Sequence, residues 1–506
     1  MEHFWNTGEH ESTPGLDILG IRQHDQFLEQ QLVAGITTIS FRARYLSLLP
    51  WVLAEFWRRE TSGEESSFDN VRFTRATRRL EFIVLACSHA TKEGKTIGPG
   101  VLGADLHRDV IASFMGGAAV DIPDTTGGAM YGTYVNTCRS FGLLQNGDGV
   151  LPVRLTPRGH AMHQLRQRAC NGSALAEAVF EGGSMNLELT RREAHLFSVN
   201  ALASSPEECT ALRQALSQPY SEQSAPSHSY QRFRGTAKWV FESLVDRPAS
   251  SEMLIANAFE KAVLGISMNE VVLSWADYEL RRRAHFCLEL MLAAVTSSIR
   301  EMDGGTIDDA LARWKRRTDL PQPFQEFAEL TSEAALDVVI DAIPHDTLLV
   351  PALPVGKLAA LAPDGQAMCS ALLLGLLERQ TRPLRAAGLL ANHEHYMERA
   401  FAIVTGAGGQ PLWATVRALC HLVVTRHIQV TLRKMANQQK CSLRFFTEGE
   451  KLLPTGFIVS PGYSGDRLGN MLNIGADLGW LDRQPHGFVL AQAGHAALEE
   501  GVFDAR

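Results

Sequence analysis

The sequence predicts a mainly α, multidomain helical protein. Apolar residues recur at helical spacing from Leu46 to Trp57, from Leu80 to Ala90 and from Met268 to Ile299. Strand-like alternation is scarce. The 506 residues, 45% apolar and 21% charged, give enough chain for roughly three domains of about 150 residues. That composition excludes a disordered chain, a collagen and a coiled-coil rod.

Taken in order, the chain opens MEHFWNTGEHES, which lacks the basic and apolar regions of a secretory signal, so a cytoplasmic location is expected. The polar stretch Ser62 to Asn70 interrupts the first helical region. Ser217 to Gln231, rich in Ser, Gln and Pro without apolar period, marks a domain boundary. A Pro-marked turn at Asp319 to Phe324 and the segment Val350 to Gly365 divide the middle helices. The expected division is residues 1–225, a helical middle at 226–445 and a C-terminal module at 446–506. The longest apolar run, Ala367 to Leu377, is interrupted by Ser370 and falls short of the roughly 20 residues that span a bilayer. Eight scattered cysteines suit reduced core thiols better than a disulfide framework or a zinc site, and neither a metal nor a cofactor is expected.

One pattern occurs twice. From Tyr131 and again from Asp466, a helical stretch ends in an apolar cluster containing glycine, Phe141-Gly142-Leu143-Leu144 and then Leu478-Gly479-Trp480-Leu481. A polar hairpin follows, then a strand ending at Leu155 or Leu490, then Gly159-His160-Ala161 or Gly494-His495-Ala496 at the same offset. Glycine accepts the positive φ that a helix C-terminus often needs, which lets the chain turn sharply into a two-stranded ribbon. Asn146-Gly147-Asp148-Gly149 has the composition of a hairpin tip. Thr156-Pro157 then reads as an N-cap followed by proline at the first helical position.

Both copies resemble the winged-helix superfamily, over about residues 101–170 and 450–506. In the second, Ala491-Gln492 replaces Thr-Pro. The N-terminal passage Leu16 to Trp57 is similar to uncharacterised bacterial proteins encoded in anti-phage defence loci. The winged-helix resemblance implies a recognition helix in the major groove and a wing against the DNA backbone. Tyr131, Tyr134, Asn136 and Arg139 would then lie on the recognition helix, and Arg154 and Arg158 at the exit of the wing.

Charge selects between the copies. Five arginines and one acid lie between Tyr131 and Cys170, whereas three arginines face six acids between Asp466 and Arg506. The net charge of −8 makes any contact with double-stranded DNA local. A second basic stretch, Pro411 to Phe445, holds Arg417, Arg426, Arg433, Lys434, Lys440 and Arg444 and no acid. Leu412, Val416, Leu419, Val423 and Val430 form an apolar seam, and Arg426, Arg433 and Lys440 recur every seven residues beside it. Arg72, Arg75, Arg78 and Arg79 could add to the same field. Arg42 and Arg44, set between apolar runs where an unpaired charge is costly, are expected to pair with acids or to anchor the start of a helix, with a role in holding a ligand anion as the alternative.

Enzyme-like signals fail when spelled out. Gly94-Lys95-Thr96 lacks the first glycine of a phosphate-binding loop, and Pro411 occupies the third glycine position of a dinucleotide turn. His393 and His395 are two apart, so they diverge on a helix. Arg158 and His163 have the spacing of some metal-independent RNase helices. The expectation is a non-catalytic DNA-binding accessory or adaptor of a bacterial assembly for anti-phage defence or DNA processing, docking a helicase, nuclease or ATPase. Two alternatives stand beside it: a protein-only scaffold that uses both modules for subunit contacts, and an enzyme, a nuclease or nucleotide-processing protein, with an unrecognised site.

Overall fold

The computed structural model describes residues 17–60, 68–91, 100–147, 152–218, 228–316, 334–344, 354–390, 395–437, 441–463 and 465–504. The protein is mainly α, and its described strands form four two-stranded antiparallel sheets. The chain divides into two compact units, each discontinuous in sequence: residues 29–254 with 465–506, and residues 1–28 with 255–464. This differs from the three consecutive segments expected at 1–225, 226–445 and 446–506. The C-terminal residues return to the first stretch because their polar groups find partners there. Arg467 Nη1 donates to the Ile36 carbonyl at 2.9 Å, Asn470 Nδ2 to the Thr37 carbonyl at 2.8 Å, and Arg42 Nε to Asp477 at 2.8 Å.

In the unit containing residues 29–254, the helix Tyr45–Glu60 packs on the helices Met130–Ser140, Pro157–Ala169 and Asn70–Ala90. Its face Tyr45, Leu46, Leu48, Leu49, Val52 and Phe56 is buried. A buried ion cluster ties these elements together. Glu208 receives Arg44 Nη2 at 2.8 Å and Arg166 Nη1 at 3.2 Å, and also the Ser47 hydroxyl. Burial pushes the Glu208 carboxyl up, but Arg166 and Arg44 outweigh it and hold the pKa at about 2. Arg42 and Arg44 thus have the acidic partners that their apolar surroundings require.

Both helix–hairpin–helix segments lie in this unit and are built alike. The helices Met130–Ser140 and Arg467–Asp477 each end before a glycine at positive φ, 65° at Gly142 and 70° at Gly479. Leu143 N donates to Cys138 O at 2.8 Å, and Trp480 N to Gly475 O at 3.0 Å, closing the helix ends in the same way. The hairpins pair Leu144 with Leu155 and Leu481 with Leu490. Thr156 caps the following helix by accepting from Gly159 N at 3.0 Å, with Pro157 at the first turn. A Cβ at Gly159 would lie 2.0 Å from the Leu143 carbonyl oxygen, and one at Gly494 would lie 2.2 Å from that of Trp480. Both glycines are therefore required by close approach of helix to hairpin.

The other unit is organised by the helix Glu270–Glu301, which packs on Pro363–Ala386 and Leu412–Ala436. This central helix is buried along most of its length and carries its own ion pairs at helical spacing. Glu279 is met by Arg282 at 2.5 Å and by Arg283 at 2.6 Å. The N-terminal residues join it through His285 Nδ1 and Asp25, 2.5 Å apart, and through Arg22 with Glu289. The seam Leu412, Val416, Leu419, Val423 and Val430 is buried as its spacing predicts. Seven cysteines are buried free thiols and Cys441 is half-buried. Among the described residues no helix is long and apolar enough to cross a membrane.

Candidate nucleic-acid interface

The helix Met130–Ser140 presents less to solvent than its sequence suggests. Tyr134 is fully buried; its ring lies 5.0 Å from that of Tyr45, and its hydroxyl accepts from Arg42 N at 3.1 Å. It is a core residue and not a groove reader, because it shares the face that packs on the helix Tyr45–Glu60. Tyr131 is half-buried, edge-on to Phe73 at 5.8 Å. Asn136 is exposed, and Arg139 is half-buried with Nη1 3.4 Å from Asn136 Oδ1.

The arginines of the first hairpin have different fates. Arg154, on the strand Val153–Leu155, is exposed. Arg158 turns back, donating to the carbonyls of Phe141 at 3.0 Å, Ala215 at 3.2 Å and Gln218 at 3.2 Å. Its guanidinium satisfies backbone acceptors and is withdrawn from the surface expected to meet phosphate. His163 bonds Glu55 at 2.8 Å, so Arg158 and His163 engage different partners and do not converge on one site.

The basic stretch 411–445 is also largely occupied from within its own unit. Arg417 forms a two-point pair with Asp308 at 2.7 and 2.8 Å. Arg426 donates to Leu19 O at 2.8 Å and Gly20 O at 3.3 Å, and its guanidinium lies 5.1 Å from the Tyr396 ring centre. Lys434 Nζ donates to Asp17 O at 2.5 Å. Arg433 is exposed, and Lys440 lies outside the described residues. The expected cationic edge of Arg426, Arg433 and Lys440 at seven-residue steps therefore loses Arg426, whose guanidinium anchors the N-terminal segment.

What the structure brings together beside the first hairpin is a cleft of about 760 Å³. Leu53, Trp57 and Arg58 come from the helix Tyr45–Glu60; Arg154 and Leu155 come from the hairpin; His160 and His163 come from the next helix, and Phe68 closes one side. Glu55 ties two of these side chains together, bonding His163 and receiving Arg58 Nη2 at 2.8 Å. The bond to His163, against burial and with help from Arg58, holds the Glu55 carboxyl at about 2. The site combines apolar walls with the guanidiniums of Arg58 and Arg154 and could hold an anionic chain whose bases or side chains rest on Trp57 and Phe68. Sequence reasoning missed it, although Phe56-Trp57-Arg58-Arg59 at a helix end was the available signal.

No family model, curated protein or solved structure matches the chain.

Proposed function

We propose that this chain is a non-catalytic accessory protein that contacts double-stranded DNA through the first helix–hairpin–helix segment and its adjoining cleft. In this reading both segments are winged helices, and only the first meets nucleic acid. The observation that carries the proposal is the placement of Arg154 and Arg58 around one open cleft, with exposed Asn136 on the helix preceding the hairpin. Phosphate contact by such groups gives a salt-dependent affinity, because each contact releases condensed counterions. The assembly it serves would be a cytoplasmic bacterial one, in anti-phage defence or DNA processing, with a helicase, nuclease or ATPase as partner.

The test is a fluorescence-anisotropy titration of labelled duplex from low to moderate salt. Binding is expected at low salt, and Arg154→Glu should weaken it across sequences while reducing the salt slope by about 1. Absence of binding at low salt, or affinity indifferent to salt and to Arg154→Glu, overturns the reading. A second reading has one observation in its favour: Leu53, Trp57, Phe68, Val153 and Leu155 make much of the cleft apolar, which suits a side chain of a partner protein.

A further inference from the structure

A second cleft, of about 440 Å³, lies between the helices Tyr45–Glu60, Asn70–Ala90 and Ala174–Glu181. Arg72, Arg75 and Arg79 line it from one helix, at steps of three and four, and Arg59 lines it from another. Phe56 and Phe180 supply apolar wall. We propose that this cleft binds a terminal phosphate or polyphosphate group, carried by a free nucleotide or by the 5′ end of a nucleic-acid strand. This inference does not depend on the duplex-binding reading.

Four guanidiniums around one opening are costly to assemble unless anions meet them. Among the described lining residues, Glu60 and Glu181 carry negative charge; Glu60, whose side chain is 13% exposed, pairs with Arg72 at 2.8 Å, and Glu181 lies 3.3 Å from Arg59. Two further carboxylates outside the lining pair with these arginines. Glu177 is 2.8 Å from Arg59, and Asp124 is 3.4 Å from Arg75 and also pairs with Arg79. The side chains of Glu177, Glu181 and Asp124 are 64%, 73% and 67% exposed. Carboxylates this exposed are screened by solvent and hold their arginines weakly, so an incoming phosphate can replace Glu177, Glu181 and Asp124, while Glu60 keeps its pair with Arg72.

Two of the guanidiniums, those of Arg79 and Arg59, are held in place. Arg79 is buried and also donates to the Phe180 carbonyl. Its guanidinium occupies room left by Gly182, where a Cβ would lie 3.0 Å from Nη2. Arg59 stacks on Phe180 with 4.4 Å to the ring centre. Planar forks fixed in this way match phosphate oxygens two at a time, which favours a phosphate group over a monovalent anion.

The experiment is isothermal titration of the full chain with pyrophosphate, with ATP, and with a short single-stranded oligonucleotide bearing or lacking a 5′ phosphate. Binding of pyrophosphate or ATP is expected, and a preference for the phosphorylated oligonucleotide would identify the strand end as the source. The double variant Arg72→Ala with Arg75→Ala, at an exposed and a half-buried position, should weaken binding by about tenfold or more without loss of the folded state by circular dichroism. Asp124→Asn, which removes a competing carboxylate, should tighten it severalfold. Arg154→Glu should leave it unchanged, which separates this site from the duplex surface. No heat with any of the four ligands up to millimolar concentration, or equal affinity in the wild type and both cleft variants, overturns the proposal.

Discussion

The two helix–hairpin–helix segments share a backbone design and differ in what touches their outer strand. In the second, Ala249 exchanges hydrogen bonds with Phe488 at 3.0 and 2.9 Å, and Leu490 N donates to Leu244 O at 3.2 Å. A Cβ at Gly487 would lie 2.3 Å from the Ala249 carbonyl. The chain itself thus occupies that strand. In the first, the position equivalent to Gly487 is Pro152, which is exposed, and the following residues line an open cleft. Proline blocks strand addition there. Both apolar clusters rest on one helix, His228–Ser243: Phe141 lies 5.0 Å from Phe233, and Trp480 lies 5.9 Å from Phe241. A repeated local design therefore fixes the shape of each segment, and its surroundings decide whether its hairpin is a packing element or a surface.

Four measurements break or sharpen this comparison. The largest effect is expected at Glu208, which anchors Arg166 on the helix after the first hairpin. Glu208→Ala leaves two buried guanidiniums without their carboxylate and should cost about 3–5 kcal/mol in chemical denaturation. Because the folded Glu208 carboxyl titrates near 2 against an ordinary 4.5, its contribution is present above 4.5 and is lost as pH falls toward 2. The gap between wild type and variant should narrow over that window.

Next come the paired glycines. Gly159→Ala and Gly494→Ala should each cost about 2–3 kcal/mol, and costs that differ by more than about 1.5 kcal/mol would break the claim that the segments are built alike. At the outer strands the expectation is asymmetric. Gly487→Ala, at φ 136° against Ala249, should destabilise by about 1–3 kcal/mol, whereas Pro152→Ala should stay within about 0.5 kcal/mol. The smallest effect is on binding. Arg154→Glu should weaken duplex affinity by roughly tenfold, whereas Arg483→Ala on the other hairpin should leave it within about twofold. Equal losses at both would assign nucleic acid to both hairpins.

Much of the fold was legible because it depends on local chemistry. Thr156-Pro157 reads directly as a cap, and the spacing around Gly142 and Gly479 reads as two helix ends. The seam Leu412 to Val430 reads as a buried stripe. The site was less legible. Tyr134 and Arg158 have residue types and positions that suit a DNA contact, yet one packs on Tyr45 and the other satisfies the carbonyls of Phe141, Ala215 and Gln218. Arg426 finds its acceptors at Leu19 and Gly20, a separation that no periodicity reveals. Periodicity shows which residues share a face but is silent on what that face meets.

By itself the sequence determined the helical class, the twofold recurrence of helix, tight glycine turn and hairpin, and the cost of leaving Arg42 and Arg44 unpaired between apolar runs. These follow from short-range sterics, apolar period and the cost of a lone buried charge. Only the tertiary structure decided that residues 465–506 join residues 29–254, that the second hairpin is covered by Ala249, and which arginines remain at the surface. The reason is that carbonyls and carboxylates hundreds of residues away compete for the same guanidiniums, and only the folded chain shows which acceptors come within reach.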